Sequence, residues 1–245
     1  MINLLAIENV SYQYEGYPVL KDISLKASLG QTVGILGTSG VGKTTLFNLI
    51  AGILPLQKGR IEIEGSQDLQ GKVSYMLQRD MLLAHKSIIE NVMLPMIIQG
   101  KPPKQAKSEA MQLLKQFGLE QWANYYPKAL SGGMRQRIAF IRTTAFGRDW
   151  LLLDEAFSAL DAITRRQMHH WFIDYRQHIK ASTLLITHDV DEAIILCDKI
   201  FILKGQPGEI VAEIPIDLDK DDFDELIFLP QFLAYKKLML TLLAR

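Results

Sequence analysis

Hydrophobic and polar positions alternate in short runs through much of the chain. Runs of this kind that end at turn residues are typical of β-strands. They predict strands at residues 6–10, 19–27, 32–36, 60–64, 72–77, 150–153, 183–187, 199–203 and 209–214. Between residues 42 and 51, Leu46, Leu49 and Ile50 recur at the spacing of an amphipathic helix. Strands that alternate with helices favour a largely parallel sheet covered by helices.

From about residue 87 to about residue 146 the pattern changes to helices alone. Ser87 followed by Glu90 has the spacing of a capping box, which marks the start of a helix. Pro102 and Pro103 separate this helix from the next one. The pattern therefore predicts a helical unit inserted into an α/β core, with a helical tail after Asp221.

Composition and charge narrow the class of protein. The chain has 245 residues and is 48% hydrophobic and 22% charged, which excludes disorder and predicts one large domain or two small ones. Lys plus Arg and Asp plus Glu both total 27, so the zero net charge argues against a nucleic-acid partner. A spanning helix needs ~20 mostly apolar residues, and no segment provides them. The single cysteine, Cys197, excludes an internal disulfide, fits a reducing cytoplasm and is predicted to pack in the apolar stretch 194–200.

A glycine-rich loop lies between the third predicted strand and the first predicted helix. Segment 37–44 reads GTSGVGKT, which is the phosphate-loop pattern in its expected strand-to-helix context. Backbone N–H groups of such a loop point at phosphate oxygens, and the helix directs its positive end at the same anion. Lys43 is predicted to bridge the β- and γ-phosphates, and Thr44 to ligate Mg²⁺. The predicted nucleotide-binding residues here are Gly37, Thr38, Ser39, Gly40, Val41, Gly42, Lys43, Thr44 and Thr45.

Two adjacent acidic residues follow the apolar run 151–153. A buried parallel strand that delivers acids at its carboxyl end has this pattern. Asp154 is predicted to serve Mg²⁺, usually through a bound water, and Glu155 to act as the general base toward the attacking water.

A second pair of glycines opens a predicted helix in segment 130–137, which reads LSGGMRQR. Ser131 is a favourable N-cap, and the amides of Gly132 and Gly133 form a second phosphate-sized nest. With this motif the chain resembles the ATP-binding cassette (ABC) family, although Met134 replaces the glutamine that is common in its signature. In that family the signature serine and glycine face the γ-phosphate held by the other subunit. The resemblance therefore implies a head-to-tail dimer of two copies that sandwiches two ATP molecules.

Other family elements occur in the expected order. Gln78 resembles the Q-loop glutamine, which contacts Mg²⁺ and the attacking water and senses the transport partner. Asp161, in the segment SALD, resembles the D-loop residue at the dimer seam, and His188 resembles the switch histidine that contacts the γ-phosphate. The resemblance implies catalytic roles for Glu155, His188, Gln78 and Lys43, and Mg²⁺ ligation by Thr44, Gln78 and Asp154. The aromatic residue that stacks on adenine corresponds to Tyr14, with Tyr12 and Tyr17 as nearby alternatives.

The resemblance covers nearly the whole chain and implies a P-loop NTPase cassette. Such a cassette has a RecA-like α/β core, an antiparallel β subdomain and an inserted helical subdomain. The expected division of this one ABC ATP-binding domain is a core with β subdomain at about 1–78 and 147–220, a helical subdomain at about 79–146, and a helical tail at about 221–245. ATP and Mg²⁺ are the expected cofactors.

Three segments resemble the branch of the family that imports nitrate, sulfonate and taurine: 126–127 (YP), 157–165 (FSALDAITR) and 187–193 (THDVDEA). Two features depart from that branch: Ala156 stands where many members have proline, and segment 84–86 (AHK) replaces a Pro-Trp segment. The three matching segments nevertheless imply a solute of the nitrate, sulfonate, taurine or thiamin-precursor type.

The implied partners are a second copy of the chain, transmembrane permease subunits and, indirectly, a solute-binding protein. The implied location is the cytoplasmic, inner face of the cell membrane. The apolar residues predicted to dock on the permease are Met93, Leu94, Met96, Ile97 and Ile98.

Two other classes of protein remain as alternatives. A soluble ABC-type ATPase not coupled to transport is expected to carry two cassettes, a coiled-coil arm or a basic face, none of which is evident. A P-loop kinase explains segment 37–44 but gives no use to segment 130–137 or to Asp161.

Overall fold

The computed structural model describes residues 4–158, 160–178, 181–220 and 223–244. Its strands are β1 (Leu4–Tyr14), β2 (Tyr17–Ser28), β3 (Thr32–Leu36), β4 (Lys58–Ile63), β5 (Val73–Met76), β6 (Trp150–Asp154), β7 (Ser182–Thr187), β8 (Lys199–Lys204) and β9 (Glu209–Pro215). Its α-helices are α1 (Lys43–Ile50), α2 (Ile88–Ile98), α3 (Pro103–Gln116), α4 (Gly132–Thr144), α5 (Ala162–His178), α6 (Val190–Leu196), α7 (Phe223–Leu226) and α8 (Pro230–Ala244). Short 3-10 helices occupy Glu120–Trp122 and Pro127–Ala129.

The strands form two sheets. The first is antiparallel in the order β2-β1-β4, and the second has the order β5-β6-β7-β3-β8-β9, parallel except for β9. Every strand predicted from the sequence forms. β1 extends beyond both ends of its predicted segment, because as the central strand of its sheet it pairs with β2 and with β4.

Two apolar clusters hold the elements together. One joins the antiparallel sheet and α1 to one face of the parallel sheet, with Phe47 and Leu152 fully buried in it. The other covers the opposite face with helices and contains Leu151, Phe140 and Phe172. All five residues of β6 are buried, because successive side chains of a strand point to opposite faces and here both faces are covered.

Helices α2, α3 and α4 lie between β5 and β6 in the chain, where the sequence predicts helices alone. Ser87 caps α2 by accepting the N–H of Glu90, and the Glu90 carboxylate accepts the N–H of Ser87, which confirms the capping box. The division of the chain at about residues 79 and 146 remains a prediction. Asp221 and Asp222, at the predicted start of the tail, lie outside the described residues.

The apolar surface predicted on α2 is only partly exposed. Ile97 and Ile98 are exposed, but Met96 is 3% exposed and packs in the core, so its predicted place on a docking surface is wrong. The reason is helical geometry, since adjacent residues of a helix point in directions about 100° apart. In the described part of the chain, no helix is both long enough and apolar enough to cross a membrane.

Cys197 is completely buried, as the sequence predicts, and lies against Gly34 of β3. A β-carbon on Gly34 would lie 2.8 Å from the Cys197 Sγ atom, which is closer than van der Waals contact permits. Burial raises the pKa of the Cys197 thiol to about 12, so the group remains a neutral thiol at neutral pH. The thiol therefore acts as a packing group.

Gly34→Ala is expected to lower the free energy of unfolding by about 1–3 kcal/mol, because the new methyl group overpacks against Cys197. Urea denaturation of Gly34→Ala, Cys197→Ala and the double variant measures this effect. In the Cys197→Ala background the loss caused by Gly34→Ala is expected to shrink by at least half. An equal loss in both backgrounds would contradict the contact.

Candidate functional site

The carboxyl ends of four neighbouring parallel strands meet at one edge of the second sheet. The chain leaves β3 into loop 37–42, β5 toward Gln78, β6 at Glu155 and β7 at His188. In open parallel sheets this edge is where ligands bind. The structure thus brings together four of the segments that the sequence singled out at separate positions.

The glycine loop is packed too closely for side chains at two positions. A β-carbon on Gly37 would lie 2.4 Å from the carbonyl oxygen of Leu203, and one on Gly42 would lie 2.7 Å from Leu20 Cδ2. Gly42 also has a φ of 105°, in the left-handed region that favours glycine, and it starts α1 without a side-chain cap. Gly42 therefore has no side chain that could accept the N–H groups in the first turn of α1. These N–H groups can bind an anion at the N-terminus of the helix.

Lys43 extends back across this loop. Its Nζ donates hydrogen bonds to the carbonyl oxygens of Gly37 and Thr38, each at 2.9 Å, and lies 3.7 Å from Glu155 Oε1. Burial lowers the pKa of Lys43, while the nearby carboxylates of Glu155 and Asp154 oppose that shift. The ammonium group is thus held inside the loop, where it can meet phosphate oxygens.

Asp154 is 4% exposed at the end of β6. Its Oδ2 accepts hydrogen bonds from Thr44 Oγ1 at 2.9 Å and from the Tyr75 hydroxyl at 3.3 Å. Burial raises the pKa of Asp154, and the two hydroxyl groups partly offset this shift. The charge of a nearby cation would stabilise the ionised form of such a carboxyl group.

Glu155 is the most connected residue of the site. Its Oε2 accepts a hydrogen bond from Gln78 Nε2 at 3.1 Å and lies 3.3 Å from His188 Nδ1, while Lys43 approaches Oε1. Its backbone has a φ of 46°, in the left-handed region that side-chain-bearing residues rarely adopt. Backbone strain of this kind persists where the surrounding structure holds it, and it is concentrated at functional sites.

A cavity of about 410 Å³ opens beside these groups. Its lining comprises Val19, Ser39, Gly40, Gly42, Lys43, Thr44, Thr45, Gln78 and Glu155. Gly37, Thr38 and Val41 belong to the loop without lining the cavity, and the Val41 side chain packs in the core instead. A cavity of this size that is lined by a lysine and by glycine-rich backbone suits a polyphosphate.

The signature segment lies elsewhere on the surface. Ser131 is exposed and caps α4 by accepting the N–H of Met134 at 3.2 Å, which agrees with its predicted role as N-cap. Neither Ser131 nor the two glycines that follow it line the cavity described above. Asp161 is also exposed, and hydrogen bonds from the side chain of Thr164 and from its amide N–H lower the pKa of the Asp161 carboxylate.

Three tyrosines, Tyr12, Tyr14 and Tyr17, are the candidates for stacking on adenine. Tyr12 is buried at 7% exposure, which removes it from the choice. Tyr14 and Tyr17 are exposed and pair across the β1–β2 turn. Tyr14, which makes an edge contact with Tyr12, remains the predicted residue.

Sequence reasoning missed Tyr75 and Val19. Tyr75 packs edge-on against Phe47 and donates to Asp154, and burial raises its pKa. A lone tyrosine in a strand is most often a core residue, so only its position three residues before Gln78 could have pointed to the site. Val19 gives no chemical signal at all.

Comparison with known proteins identifies relatives of the whole chain. Residues 20–158 match the protein family described as ABC transporter. The formylaminopyrimidine import ATP-binding protein ThiZ of Halalkalibacterium halodurans is 44% identical over 218 residues, which cover 88% of this chain and 86% of that protein. The taurine import ATP-binding protein TauB of Escherichia coli O157:H7 is 35% identical over 246 residues and covers 97% of this chain and 96% of that protein.

A solved structure shares the fold. The dimeric ATP-binding cassette MJ0796, in a post-hydrolysis state bound to ADP and Pi, matches with a TM-score of 0.76 and 26% identity, covering 88% of this chain and 100% of that one. The fold class predicted from the sequence is thereby confirmed.

Asp154→Asn is expected to raise the free energy of unfolding at neutral pH in the absence of nucleotide. The folded-state pKa of Asp154 is raised by burial, so wild-type stability falls as pH rises from the unfolded carboxyl value of about 4 through the folded value. Because Asn does not titrate, the difference in free energy of unfolding between Asp154→Asn and the wild type is expected to grow as pH rises through this window and to vanish below it. Urea unfolding at a series of pH values measures the difference.

Asp149→Asn, which removes an exposed carboxylate next to β6, is the matched control against which the effect of Asp154→Asn is measured. The same Asp154→Asn protein is expected to gain less stability from ATP with Mg²⁺ than the wild type does. An Asp154→Asn protein that is less stable than wild type at every pH would contradict the burial argument.

Proposed function

Because this chain belongs to the ABC transporter family, as its sequence predicted, we propose that it is the ATPase subunit that powers solute import through a membrane permease. It binds and hydrolyses ATP. The observation that carries the proposal is the Glu155 carboxylate, held by Gln78, His188 and Lys43 at the edge of the phosphate cavity.

The phosphates of ATP are bound by loop 37–44 in this proposal. The N–H groups of the loop and of the first turn of α1 contact phosphate oxygens, and Lys43 exchanges its carbonyl partners for the β- and γ-phosphates. Tyr14 stacks on the adenine. The Tyr14 side chain is 43% exposed, so its ring is accessible to a base.

The oxygen donors of the site fit Mg²⁺. The Thr44 hydroxyl lies 2.9 Å from the buried Asp154 carboxylate, and Gln78 supplies an amide oxygen nearby. Mg²⁺ prefers oxygen ligands and combines one or two protein groups with waters and phosphates. Bound with the nucleotide, the ion would neutralise charge that develops on the phosphates.

Glu155 takes the proton of the attacking water as the general base. Its carboxylate faces the cavity, and the three neighbouring side chains fix its orientation. Gln78 orients the water, and His188, whose Nδ1 lies 3.3 Å from Glu155 Oε2, contacts the γ-phosphate. The proximity of these side chains supports the proposal, since a general base has to lie within hydrogen-bond reach of the proton that it accepts.

A second copy of the chain completes the site in this proposal. Ser131, Gly132 and Gly133 form an uncovered nest at the N-terminus of α4, away from the cavity of their own chain. Two copies arranged head to tail would each present this nest to the nucleotide of the other, with Asp161 at the seam. The related cassette MJ0796 was solved as a dimer.

The transport partners are proposed from the relatives and from the surface. ThiZ and TauB are import ATP-binding proteins, which supports permease subunits and, through them, a solute-binding protein as partners. The exposed apolar side chains of Met81, Ile97 and Ile98 offer a contact surface for a permease. The protein would then lie at the cytoplasmic face of the membrane. The higher identity to ThiZ favours a formylaminopyrimidine-like solute over a taurine-like one.

Glu155→Gln is expected to slow ATP turnover by ~10²–10⁴-fold, the usual contribution of a positioned general base. ATP binding is expected to be retained, since the phosphate loop is unchanged. Steady-state hydrolysis and equilibrium nucleotide binding measure the two effects. Glu120→Gln, at an exposed position, is the control, and unchanged hydrolysis in Glu155→Gln would remove Glu155 from the mechanism.

Ser131→Arg is expected to abolish hydrolysis while each subunit still binds ATP. The bulky cation would block the nest that faces the partner's nucleotide, but it lies outside the cavity of its own chain. Nucleotide binding, hydrolysis and ATP-dependent dimerisation by light scattering are the measurements. Ser108→Arg, at an exposed position of α3, is expected to behave as wild type. Normal hydrolysis by Ser131→Arg would contradict the sandwich dimer.

A further inference from the structure

The turn that follows Gln78 has an unusual backbone. Met81 has a φ of 46°, which is rare for a residue with a side chain. Asp80 Oδ1 accepts the N–H of Leu82 at 3.1 Å and closes the turn. Such a conformation persists only where neighbouring groups hold it. Because Gln78 lies two residues before Asp80, whatever holds this turn also influences where the glutamine amide lies.

Arg142, in the last turn of α4, holds the backbone of the turn. Its Nη1 donates to the carbonyl oxygen of Met81 at 2.7 Å, and its Nη2 donates to that of Asp80 at 2.6 Å. Burial lowers the pKa of Arg142, and the Asp80 carboxylate opposes this shift. The planar guanidinium thus binds two successive carbonyl groups in a fixed geometry.

Arg135, in the first turn of α4, holds the side chain of the same turn. Its Nε donates to Asp80 Oδ2 at 3.0 Å, and its Nη1 donates to the carbonyl oxygen of Leu130 at 2.9 Å. Leu130 is the residue before the N-cap Ser131. Arg135 and Arg142 are seven residues apart, so they lie on the same face of the helix. Residues near both ends of α4 therefore form hydrogen bonds with the same turn at Asp80 and Met81.

The same helix also contacts the segment that carries Glu155. Gln136 is buried, and its Nε2 donates to the carbonyl oxygen of Ala156 at 2.6 Å. Helix α4 thus holds the chain just after Gln78 on one side and just after Glu155 on the other. The Gln78–Glu155 hydrogen bond, at 3.1 Å, joins the two segments inside the site.

We propose that Arg135 and Arg142 are positioning residues, which act through Asp80 to set the place of Gln78 relative to Glu155. The proposal rests on the roles of Gln78 and Glu155 in the proposed function. Since Ser131 caps the same helix, a displacement of α4 by the partner's nucleotide would move the Asp80 turn with it. The arginines thereby link the signature segment to the glutamine of their own subunit.

A double-mutant cycle on the full-length protein tests the proposal. Arg135→Leu is expected to lower kcat by about tenfold or more, the worth of a charge-assisted hydrogen bond, with KM for ATP changed by less than about twofold. In a Gln78→Ala background the same substitution is expected to change kcat by less than about twofold, because the residue through which Arg135 acts is already gone. A similar loss of kcat in both backgrounds, or no loss in the wild-type background, would overturn the proposal.

Two further variants separate positioning from damage to the fold. Asp80→Asn keeps an oxygen that can accept the Leu82 N–H but removes the charge that faces Arg135. It is expected to lower kcat as Arg135→Leu does. The double variant is expected to lose no more kcat than either single variant. Lys115→Leu, at an exposed position of α3, is the matched control and should leave kcat unchanged. Urea unfolding of each variant checks that the fold is retained.

The outcomes distinguish this inference from the proposed function. A wild-type protein that hydrolyses ATP, but whose cycle is additive, contradicts only the positioning role. If the Gln78→Ala and Glu155→Gln variants hydrolyse ATP as fast as the wild type does, the proposed function itself is contradicted.

Discussion

The carboxylate of Glu155 is the point on which the geometry of the site depends. Its side chain is 14% exposed, and a charge so enclosed is stable only when polar partners surround it. Those partners, Lys43, Gln78 and His188, come from the segments that follow β3, β5 and β7. The parallel order of β5, β6, β7 and β3 places the carboxyl ends of these strands side by side, so the sheet determines which groups reach the carboxylate.

Neighbouring Asp154 shows the cost of this arrangement. It is buried beneath Thr44 and Tyr75, and burial raises its pKa because the ionised form loses solvation that two hydroxyl groups only partly replace. Burial therefore disfavours the negative charge of Asp154. A divalent cation that binds with the nucleotide would favour the ionised form of Asp154.

Much of the fold could be predicted from the sequence, since hydrophobic periodicity identifies each strand. The phosphate loop, the acidic pair and the N-cap Ser131 were also predictable, because each depends on residues that are close in sequence. Tyr75 was not, since its contact with Asp154 joins positions far apart in the chain. Met96 was wrongly placed on the surface, because composition reveals that α2 is apolar but not which of its sides faces the core.

By itself, the sequence determined the order of the elements and the family, and it nominated the residues proposed to carry the chemistry, because these features depend on local patterns and short motifs. Only the tertiary structure decided which of those residues meet. Two sets of hydrogen bonds join segments that are dozens of residues apart in the chain. One links Gln78 to Glu155, and the other links Arg135 and Arg142 to the Asp80 turn. Such contacts form only when strand order and helix packing bring distant parts of the chain together, and no local pattern records that order.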